Sequence, residues 1–440
     1  MLSAFTIFFA FGVLSLAFHR KFFLKAFALL GVVLAFYATY LNHGVALSGF
    51  SLHENIRLFE LIVEIVLFAF VLHEDEDINI TQTLFIGASS MLLLEAQTLL
   101  SFVLSFESLS LISVILVTQI KTKEQADGAI KMFIAGSIAT GILFLGVSFY
   151  LLGGGELLEP LAKDTSSFET LGLLLILGGV FYKLTIVPFH GWAADSYALV
   201  KHSHAGLLSG VAKTVVAIAL FELFAPFLEL HSEMLNPLLI GLALITMTLG
   251  NFLALFRKNL SLMLSYSSIA HAGYLLLAFV ALKSEFAQEG ILYISIAYIF
   301  MQSAAFLVLD ILKKHYGVST IEELSGFASQ NAILAFVFTL QLFSLAGIPL
   351  LAGFLGKAVV FYAVVDAGLW WVALIALLNS ALSVAYYAWV VKAIYFDELE
   401  VQKRVYVGVE LPMSAQFILL GGTLFFGVFA GVVFGGSLSF

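Results

Sequence analysis

The stretch Phe-Tyr-Lys-Leu-Thr-Ile-Val-Pro-Phe-His, residues 181–190, places a lysine and a proline inside a long apolar segment. A second lysine, Lys213, follows thirty residues later in Leu-Leu-Ser-Gly-Val-Ala-Lys, and a third, Lys357, comes eight residues after Pro349 in another apolar run. A lysine in the hydrocarbon of a bilayer costs about 2.5–3.5 kcal/mol on insertion scales and is rarely kept without a task. Because that task is usually the movement of an ion or a proton, these lysines are the first candidates for function.

The composition around these lysines is that of a polytopic membrane protein. The chain has 440 residues, of which 61% are hydrophobic and 11% are charged, whereas a soluble domain carries roughly a quarter charged residues. The absence of cysteine excludes cysteine-ligated iron–sulfur clusters, disulfides and thiol chemistry within the chain. The polar stretches are too short for a nucleotide or flavin domain, and the ten histidines are scattered, so we expect no cofactor, metal or nucleic acid on this chain.

Apolar segments long enough to span a bilayer predict an all-helical fold with about fourteen transmembrane helices, since a spanning helix needs about 20 mainly apolar residues. The predicted spans are 1–17, 24–42, 56–72, 81–97, 99–120, 127–151, 169–190, 202–228, 236–256, 262–282, 288–312, 332–362, 368–396 and 413–436. The first is interpreted as a membrane helix and not as a signal peptide, because its positive charge follows the apolar stretch.

The distribution of basic residues predicts that both termini lie on the outer side of the membrane. With the N-terminus outside, the inner loops hold twelve basic residues: Arg20, Lys21, Lys25, Lys121, Lys123, Lys201, Arg257, Lys258, Lys313, Lys314, Lys403 and Arg404. The outer loops hold three: Arg57, Lys163 and Lys283. An excess of lysine and arginine marks the inner side, which supports an even number of helices.

A carboxylate on the fifth predicted span provides a partner for the buried lysines. Glu107 lies in the middle of this span, and Lys183 and Lys213 lie on the seventh and eighth. A lysine that is paired with a carboxylate and a lysine that is not hold a proton with different affinity, so a change in pairing moves the proton. The alternative is an ion pair that only locks two helices together.

Prolines interrupt two of the predicted spans. Pro188 and Pro349 lie in the seventh and twelfth, where each removes a backbone donor and leaves a carbonyl without its usual partner. Broken helices at corresponding places in two halves of a membrane protein often mark the transport path of inverted-repeat transporters. A plain kink is the alternative interpretation.

Two histidines and several other charges are weaker candidates. A neutral histidine such as His190 or His271 can pass a proton between its two nitrogens, although a lone histidine in such a segment is more often a hydrogen-bonded packing residue. Lys392 lies near a helix end, where its side chain can reach the membrane surface. The remaining residues within spans allow either interpretation: Lys131, Glu64, Glu95 and Glu222.

Four runs of sequence, in this order, carry a resemblance to a known family. They are Phe-Glu-Ser-Leu-Ser-Leu (106–111), Lys183 with Pro188-Phe189-His190 and Trp192, Ser-Tyr-Ser-Ser-Ile-Ala-His-Ala-Gly-Tyr (265–274), and Ser-Leu-Ala-Gly-Ile-Pro-Leu-Leu-Ala-Gly-Phe-Leu-Gly-Lys (344–357). The chain resembles the antiporter-like subunits of respiratory complex I, most closely those of the subunit N type. The lysine at position 357 separates it from the subunit M type, which carries glutamate there.

The resemblance implies two five-helix repeats of inverted topology with broken helices 7 and 12. The implied organisation is three N-terminal helices in 1–80, the first repeat (helices 4–8) in 81–228, the second (helices 9–13) in 229–396, and a last helix in 397–440. Each repeat would form half of a proton path.

The resemblance also implies which residues carry protons. The family's glutamate on the fifth helix matches Glu107, and its lysines on helices 7, 8 and 12 match Lys183, Lys213 and Lys357. His271 is an intermediate candidate. The possible supporting residues are His190, Asp195, Lys131 and Lys392.

The function implied is proton translocation in a bacterial inner membrane, driven by electron transfer elsewhere in an NADH–quinone oxidoreductase. NADH, FMN, iron–sulfur clusters and quinone would then be held by partner subunits, and other membrane subunits, among them further antiporter-like ones, would flank this chain. Two alternatives stay open. The chain can belong to a membrane-bound hydrogenase or a multisubunit sodium/proton antiporter, or it can be a structural spacer whose lysines only hold helices together.

Overall fold

The computed structural model describes residues 3–17, 21–44, 49–52, 54–118, 122–159, 161, 166–398 and 411–429. Several basic residues used above for the orientation lie outside the described residues: Arg20, Lys121, Lys163, Lys403 and Arg404. The end of the fourteenth predicted span, from residue 430, also lies outside them.

The described part of the chain is helical, as predicted, and its only β-type pairings are two isolated bridges, Phe50 with Ala96 and Asn259 with Thr320. The first ten helices are α1 (Ala4–Ser15), α2 (Lys21–Tyr40), α3 (Glu54–His73), α4 (Asp77–Leu94), α5 (Leu99–Val117), α6 (Lys123–Leu152), α7 (Ser167–Leu184), α8 (Ala193–Leu199), α9 (His202–Gly206) and α10 (Lys213–Leu230). The others are α11 (Ser232–Leu255), α12 (Leu260–Val280), α13 (Ala287–Ile311), α14 (Phe327–Gln330), α15 (Ala332–Ala346), α16 (Ala352–Asp366), α17 (Trp370–Tyr395) and α18 (Met413–Val428).

Among the described residues, nine helices are long and apolar enough to cross a membrane by length and composition. Three shorter apolar helices, α1, α15 and α18, fall below that length. The predicted number of fourteen spans and the inverted repeats therefore stay predictions, while the helical membrane architecture is established.

The chain divides into two compact units. Unit 1 comprises Met1–Val200 and Val211–Pro237, and unit 2 comprises Lys201–Gly210 and Leu238–Phe440. In unit 1, α4 is surrounded by α1, α2, α3, α5 and α10. In unit 2, α13 packs against α9, α12, α15, α16 and α18, and it is buried over almost its whole length. The four sequence ranges implied by the resemblance are a different division and stay a prediction.

Each unit contains one interrupted helix. In unit 1 the seventh predicted span, 169–190, is observed as α7, which ends at Leu184, six residues before the predicted end. Thr185 then takes a left-handed backbone conformation (φ 61°), and an irregular segment containing Pro188 leads to α8. A left-handed β-branched residue is a steric outlier, so the surrounding structure must hold it in place.

In unit 2 the twelfth predicted span, 332–362, is observed as two helices. The first, α15, ends at Ala346, Gly347 caps it with φ 90°, and α16 begins at Ala352 after the segment that contains Pro349. The start of α16 lies so close to α15 that a Cβ on Gly353 would come within 1.9 Å of the Ser344 carbonyl oxygen. Only glycine fits there, and this contact fixes the position of the residues that follow, including Lys357.

Candidate functional site

The break after α7 brings two buried lysines of unit 1, Lys183 and Lys213, close to one threonine, Thr185. Lys183, the second-last residue of α7, is 4% exposed, and its Nζ donates to the Ser113 hydroxyl on α5 at 2.8 Å. Lys213 is fully buried, and its Nζ donates to the hydroxyl of Thr185 at 2.9 Å. Because Thr185 is the strained residue that ends α7, the helix break itself supplies a hydrogen-bond acceptor for Lys213.

The backbone before Lys213 is irregular as well. Residues Leu207–Ala212 form a π-helical turn between α9 and α10, and Lys213 is the first α-helical residue after it. Single π-turns inside helices are frequent at functional sites. The Lys213 ammonium also lies 5.8 Å from the centroid of the Tyr197 ring, whose face attracts a cation.

Glu107 and Lys183 share a cavity in unit 1 but do not form a direct ion pair. The cavity has a volume of about 230 Å³ and is lined by residues of α5, α6 and α7, including Glu107, Thr140 and Lys183. Glu107 accepts hydrogen bonds from the Thr140 hydroxyl at both carboxylate oxygens (3.0 and 3.1 Å). Lys183 is instead bonded to Ser113. Most residues that line the cavity are apolar, and the acid and the base on its wall are each held by a separate hydroxyl group and not by each other.

Lys357 in unit 2 has a different environment from Lys183. It is 3% exposed, and its Nζ donates to the carbonyl oxygens of Leu345 (2.9 Å) and Ala346 (3.1 Å) and to the Ser380 hydroxyl (3.1 Å). The two carbonyls are exposed by the break after α15, because the last carbonyls of a helix have no partner within it. An ammonium group has three donors, so all three have acceptors here, while Lys183 donates to one acceptor within the described chain.

A buried polar network extends from Lys357 to the surface of unit 2. The Lys357 ammonium lies 5.0 Å from the centroid of the Tyr274 ring. The Asn251 amide is 3.3 Å from the Tyr274 hydroxyl and donates to the Asn379 carbonyl oxygen at 3.0 Å. Asn379 in turn donates to the hydroxyl of Thr248 at 3.1 Å, and Thr248 is exposed. The sequence showed no signal for these amides, because they come together only when α11, α12 and α17 pack.

His271 lies on α12 within unit 2 and is 1% exposed. Its Nδ1 is 2.9 Å from the carbonyl oxygen of Ser267, so Nδ1 carries the hydrogen and Nε2 is left in the acceptor form. The ring stacks on Tyr298 at 5.1 Å, and the Tyr298 hydroxyl donates to Ser268 at 2.9 Å. This environment fixes one tautomer of the histidine and keeps hydroxyl groups close to it.

The possible supporting residues are exposed at the surface of the protein or half-buried. Lys131 on α6 and Asp195 on α8 form an ion pair of 2.5 Å with each other, and both side chains are more than 40% exposed. Lys392, in the last turn of α17, pairs with Asp397 at 2.8 Å, also on the surface. His190 is half-buried in the segment between α7 and α8. Exposed ion pairs of this kind contribute about 0–1 kcal/mol, so these residues do not share the buried environment of the three lysines.

Four hydroxyl residues that sequence reasoning did not single out contact the charged groups directly. In unit 1 they are Ser113, Thr140 and Thr185, which bind Lys183, Glu107 and Lys213 respectively, and a fourth, Ser380, binds Lys357 in unit 2. Among the residues that the structure describes, no group of three or more histidine, aspartate or glutamate side chains has the geometry of a metal site. The charged and polar side chains of the site are amines, a carboxylate and hydroxyls, which can exchange hydrogen bonds and protons.

Comparison with known proteins identifies the family. Residues 96–383 match the family described as NADH:quinone oxidoreductase/Mrp antiporter, TM. The chain is 32% identical over 335 residues to NADH-quinone oxidoreductase subunit N of Bdellovibrio bacteriovorus, covering 72% of this chain and 69% of that one. It is also 32% identical over 365 residues to F(420)H(2) dehydrogenase subunit N of Methanosarcina mazei, covering 79% and 74%.

Solved structures show the same fold. A chain of respiratory complex I from Thermus thermophilus superposes with a TM-score of 0.85 at 25% identity, over 98% of both chains. A chain of the Mrp complex from Dietzia sp. superposes with a TM-score of 0.87 at 18% identity, over 97% of this chain and 93% of that one. The family match covers well over half of the sequence and includes every buried lysine described above. The chain is thus a member of the NADH:quinone oxidoreductase/Mrp antiporter transmembrane family.

Proposed function

We propose that this chain is the subunit N of a bacterial NADH–quinone oxidoreductase and that it moves protons across the inner membrane. Electron transfer in partner subunits, which hold the NADH site, FMN, iron–sulfur clusters and quinone, drives the movement. This chain carries out no redox step and acts as part of a translocase. Its similarity to subunit N of Bdellovibrio bacteriovorus supports this assignment, and both termini are proposed to face the periplasm.

The observation that carries the proposal is the arrangement around the break after α7. Two buried lysines, Lys183 and Lys213, lie on either side of Thr185, and one of them borders a cavity that also contains a carboxylate. Purely structural lysines would be expected to be saturated with fixed acceptors, because an unsatisfied buried ammonium is unfavourable. Among the described residues Lys183 has one acceptor, and it borders the cavity that also contains Glu107, which suits a group that must accept and release a proton.

Glu107 acts in this mechanism as a switch for Lys183. In the observed arrangement the carboxylate is held by Thr140 and the ammonium by Ser113. When the two groups move together, the negative charge favours the protonated lysine, and when they separate that support is lost. Alternation between the two arrangements moves a proton onto Lys183 and then off it.

Unit 2 contributes the residues through which protons leave. We propose that protons are taken up from the inner side toward Lys213 and Lys183, that His271 acts as an intermediate, and that Lys357 releases protons outward. The three acceptors around Lys357 stabilise its charged form, so release requires a neighbouring charge or a rearrangement of the break after α15. The network through Tyr274 and Asn251 links this lysine to Thr248 on α11.

The experiment that tests the proposal replaces Lys213 by methionine in the complete complex, reconstituted in liposomes. Methionine keeps much of the length of the side chain and removes its charge. NADH-driven acidification of the liposome interior should fall at least tenfold while the amount of assembled complex stays the same. Lys131→Met, in the exposed pair with Asp195, is the matched control and should pump normally. Normal pumping by Lys213→Met would contradict the proposed role.

A related assembly is the second candidate, favoured by the similarity to the F(420)H(2) dehydrogenase subunit and by the shared fold of the Mrp chain. Mass spectrometry of the complex purified through a tag on this chain distinguishes the two. NADH-dehydrogenase and quinone-site subunits would support the first proposal. Hydrogenase subunits or antiporter subunits alone would move the chain to the related assembly and leave the lysine roles unchanged.

A structural spacer is the alternative from another functional class. In that case the loss of activity in a lysine variant would follow the loss of assembled complex in equal proportion. The Lys213→Met experiment measures both quantities and therefore separates the spacer from the translocating subunit.

A further inference from the structure

Unit 1 contains a group of buried carboxyl groups that has no part in the mechanism above. Glu60 and Glu64 lie on α3, and Glu95 directly follows the last residue of α4. All three residues are fully buried. Because Glu60 and Glu64 are four residues apart on one helix, they lie on the same face. We call these three residues the carboxyl cluster.

The surroundings of Glu60 indicate that it carries a proton. Neither of its carboxylate oxygens has a hydrogen-bond partner among the described residues, and the charged groups that interact with it are the carboxyls of Glu95 and Glu64. Arg57 lies one turn nearer the start of α3. Burying an ionised carboxylate without a partner is strongly unfavourable, and two further carboxyls nearby add repulsion. A neutral carboxyl avoids both penalties.

The contacts of Glu64 and Glu95 show that other parts of the chain hold the carboxyl cluster in place. The Thr39 hydroxyl, near the end of α2, donates to Glu64 at 2.9 Å. The backbone of Glu95 is held by the segment before α3, where the Ser51 amide donates to its carbonyl oxygen at 2.9 Å. The chain after α2 also lies on this carboxylate, since a Cβ on Gly44 would come within 2.9 Å of Glu95 Oε2. The cluster is therefore enclosed by three helices and by the described residues 44 and 51 of the segment between α2 and α3.

The position of the carboxyl cluster in the chain indicates on which side of the membrane it lies. It lies at the end of α2, near the beginning of α3 and at the end of α4. With the N-terminus outside, these helix ends all face the outer side. Glu60 is six residues into α3, or about 9 Å along the helix axis from its start. Glu60 is thus close to the outer surface of unit 1, at the end of α3 where the described residues of the segment between α2 and α3 contact the cluster.

We propose, building on the proton-translocating function set out above, that Glu60, Glu64 and Glu95 form a further proton-binding site that stores a proton near the outer surface of unit 1. The ligand is a proton held by Glu60, whose carboxyl has no hydrogen-bond partner among the described residues and lies near the carboxyls of Glu64 and Glu95. No redox or covalent step is involved. A proton binds to one carboxylate oxygen, and the same O–H bond breaks on release.

Infrared spectroscopy of the intact complex tests this inference directly, because a protonated carboxyl has a carbonyl band distinct from that of a carboxylate and shifted in D₂O. The wild type is compared with Glu60→Gln and with the control Glu229→Gln, which changes an exposed carboxyl on α10 of the same unit. We expect one protonated-carboxyl band per chain to be lost in Glu60→Gln and kept in Glu229→Gln. We also expect NADH-driven turnover to change its intensity.

Three outcomes would overturn the inference. They are a spectrum of Glu60→Gln with every wild-type band, a band that stays constant during turnover, and a band that responds to sodium in place of choline at fixed pH. If Glu60→Gln fails to assemble, Glu64→Gln serves as the second variant, since its amide oxygen can still accept from Thr39. The band in the resting enzyme does not depend on pumping. If the band is absent from a complex that pumps, only the proposal about the carboxyl cluster is refuted. If the band is present in a complex that does not pump, only the proposed function is refuted.

Discussion

Replacing Thr140 by valine should favour the arrangement in which Glu107 and Lys183 are paired with each other. The Thr140 hydroxyl is 3.0 and 3.1 Å from the two carboxylate oxygens of Glu107 and holds this group away from the lysine. A hydrogen bond to a charged group contributes about 1.5–3 kcal/mol, so its loss should shift the equilibrium toward the paired form by about 10- to 150-fold. Valine has the shape of threonine, so the packing of α6 should be preserved.

The assay is proton translocation by the reconstituted complex, measured by fluorescence quenching and divided by the amount of assembled complex. If each cycle requires the pair to separate, Thr140→Val should pump about tenfold more slowly or less. Thr140→Ser, which keeps the hydroxyl, should pump like the wild type. Ser148→Ala is the control, because this exposed serine on the same helix bonds only to the carbonyl of Phe144.

Normal pumping by Thr140→Val would refute the reasoning if Glu107→Gln is impaired in the same assay. The carboxylate would then be needed, but its distance from Lys183 would not be controlled by this hydroxyl. A loss of assembled complex in Thr140→Val that matches the loss of pumping would instead assign Thr140 a role in stability.

Three further changes have definite expected outcomes. Thr185→Val removes one acceptor of Lys213 while keeping the β-branched shape, so pumping should fall about tenfold with the complex assembled; unchanged pumping would show that this bond is dispensable. Gly353→Ala places a Cβ within 1.9 Å of the Ser344 carbonyl, so immunoblots should show the assembled complex greatly reduced, and a stable complex would show that α16 can move aside. Lys131→Met breaks an exposed ion pair, so the midpoint of thermal inactivation should correspond to a change below about 1 kcal/mol, and a larger loss would give this pair a structural role.

The sequence predicted the helices and where both breaks lie, but it did not predict the backbone conformation at the breaks. Pro188 and Pro349 do lie in the interrupted segments, because proline cannot donate to a helix. However, α7 ends at Leu184, four residues before Pro188, where Thr185 turns into the left-handed region. Nothing in the local sequence indicates that conformation, because threonine rarely adopts it and only the packed structure holds it there.

The charged residues of the candidate site were found from sequence, and their partners were not. A lysine in an apolar run stands out because of its cost in hydrocarbon, whereas Ser113 and Thr140 are ordinary residues of membrane helices. Their roles depend on which helices pack together. The same holds for the carboxyl cluster. Glu64 and Glu95 were ambiguous in the sequence. The four-residue spacing places Glu64 on the same face of α3 as Glu60, whereas the proximity of Glu95 to Glu60 arises from the packing of α3 and α4.

The most direct test of the central claim is the number of protons translocated per NADH oxidised in the complete complex with Lys183→Ala and, separately, with Lys357→Ala. Both lysines are buried, one in each unit. If they carry the translocated protons, each variant should assemble, and its proton-to-NADH ratio should fall well below that of the wild type. A wild-type ratio in both variants would contradict the account and show that protons cross this membrane by another route.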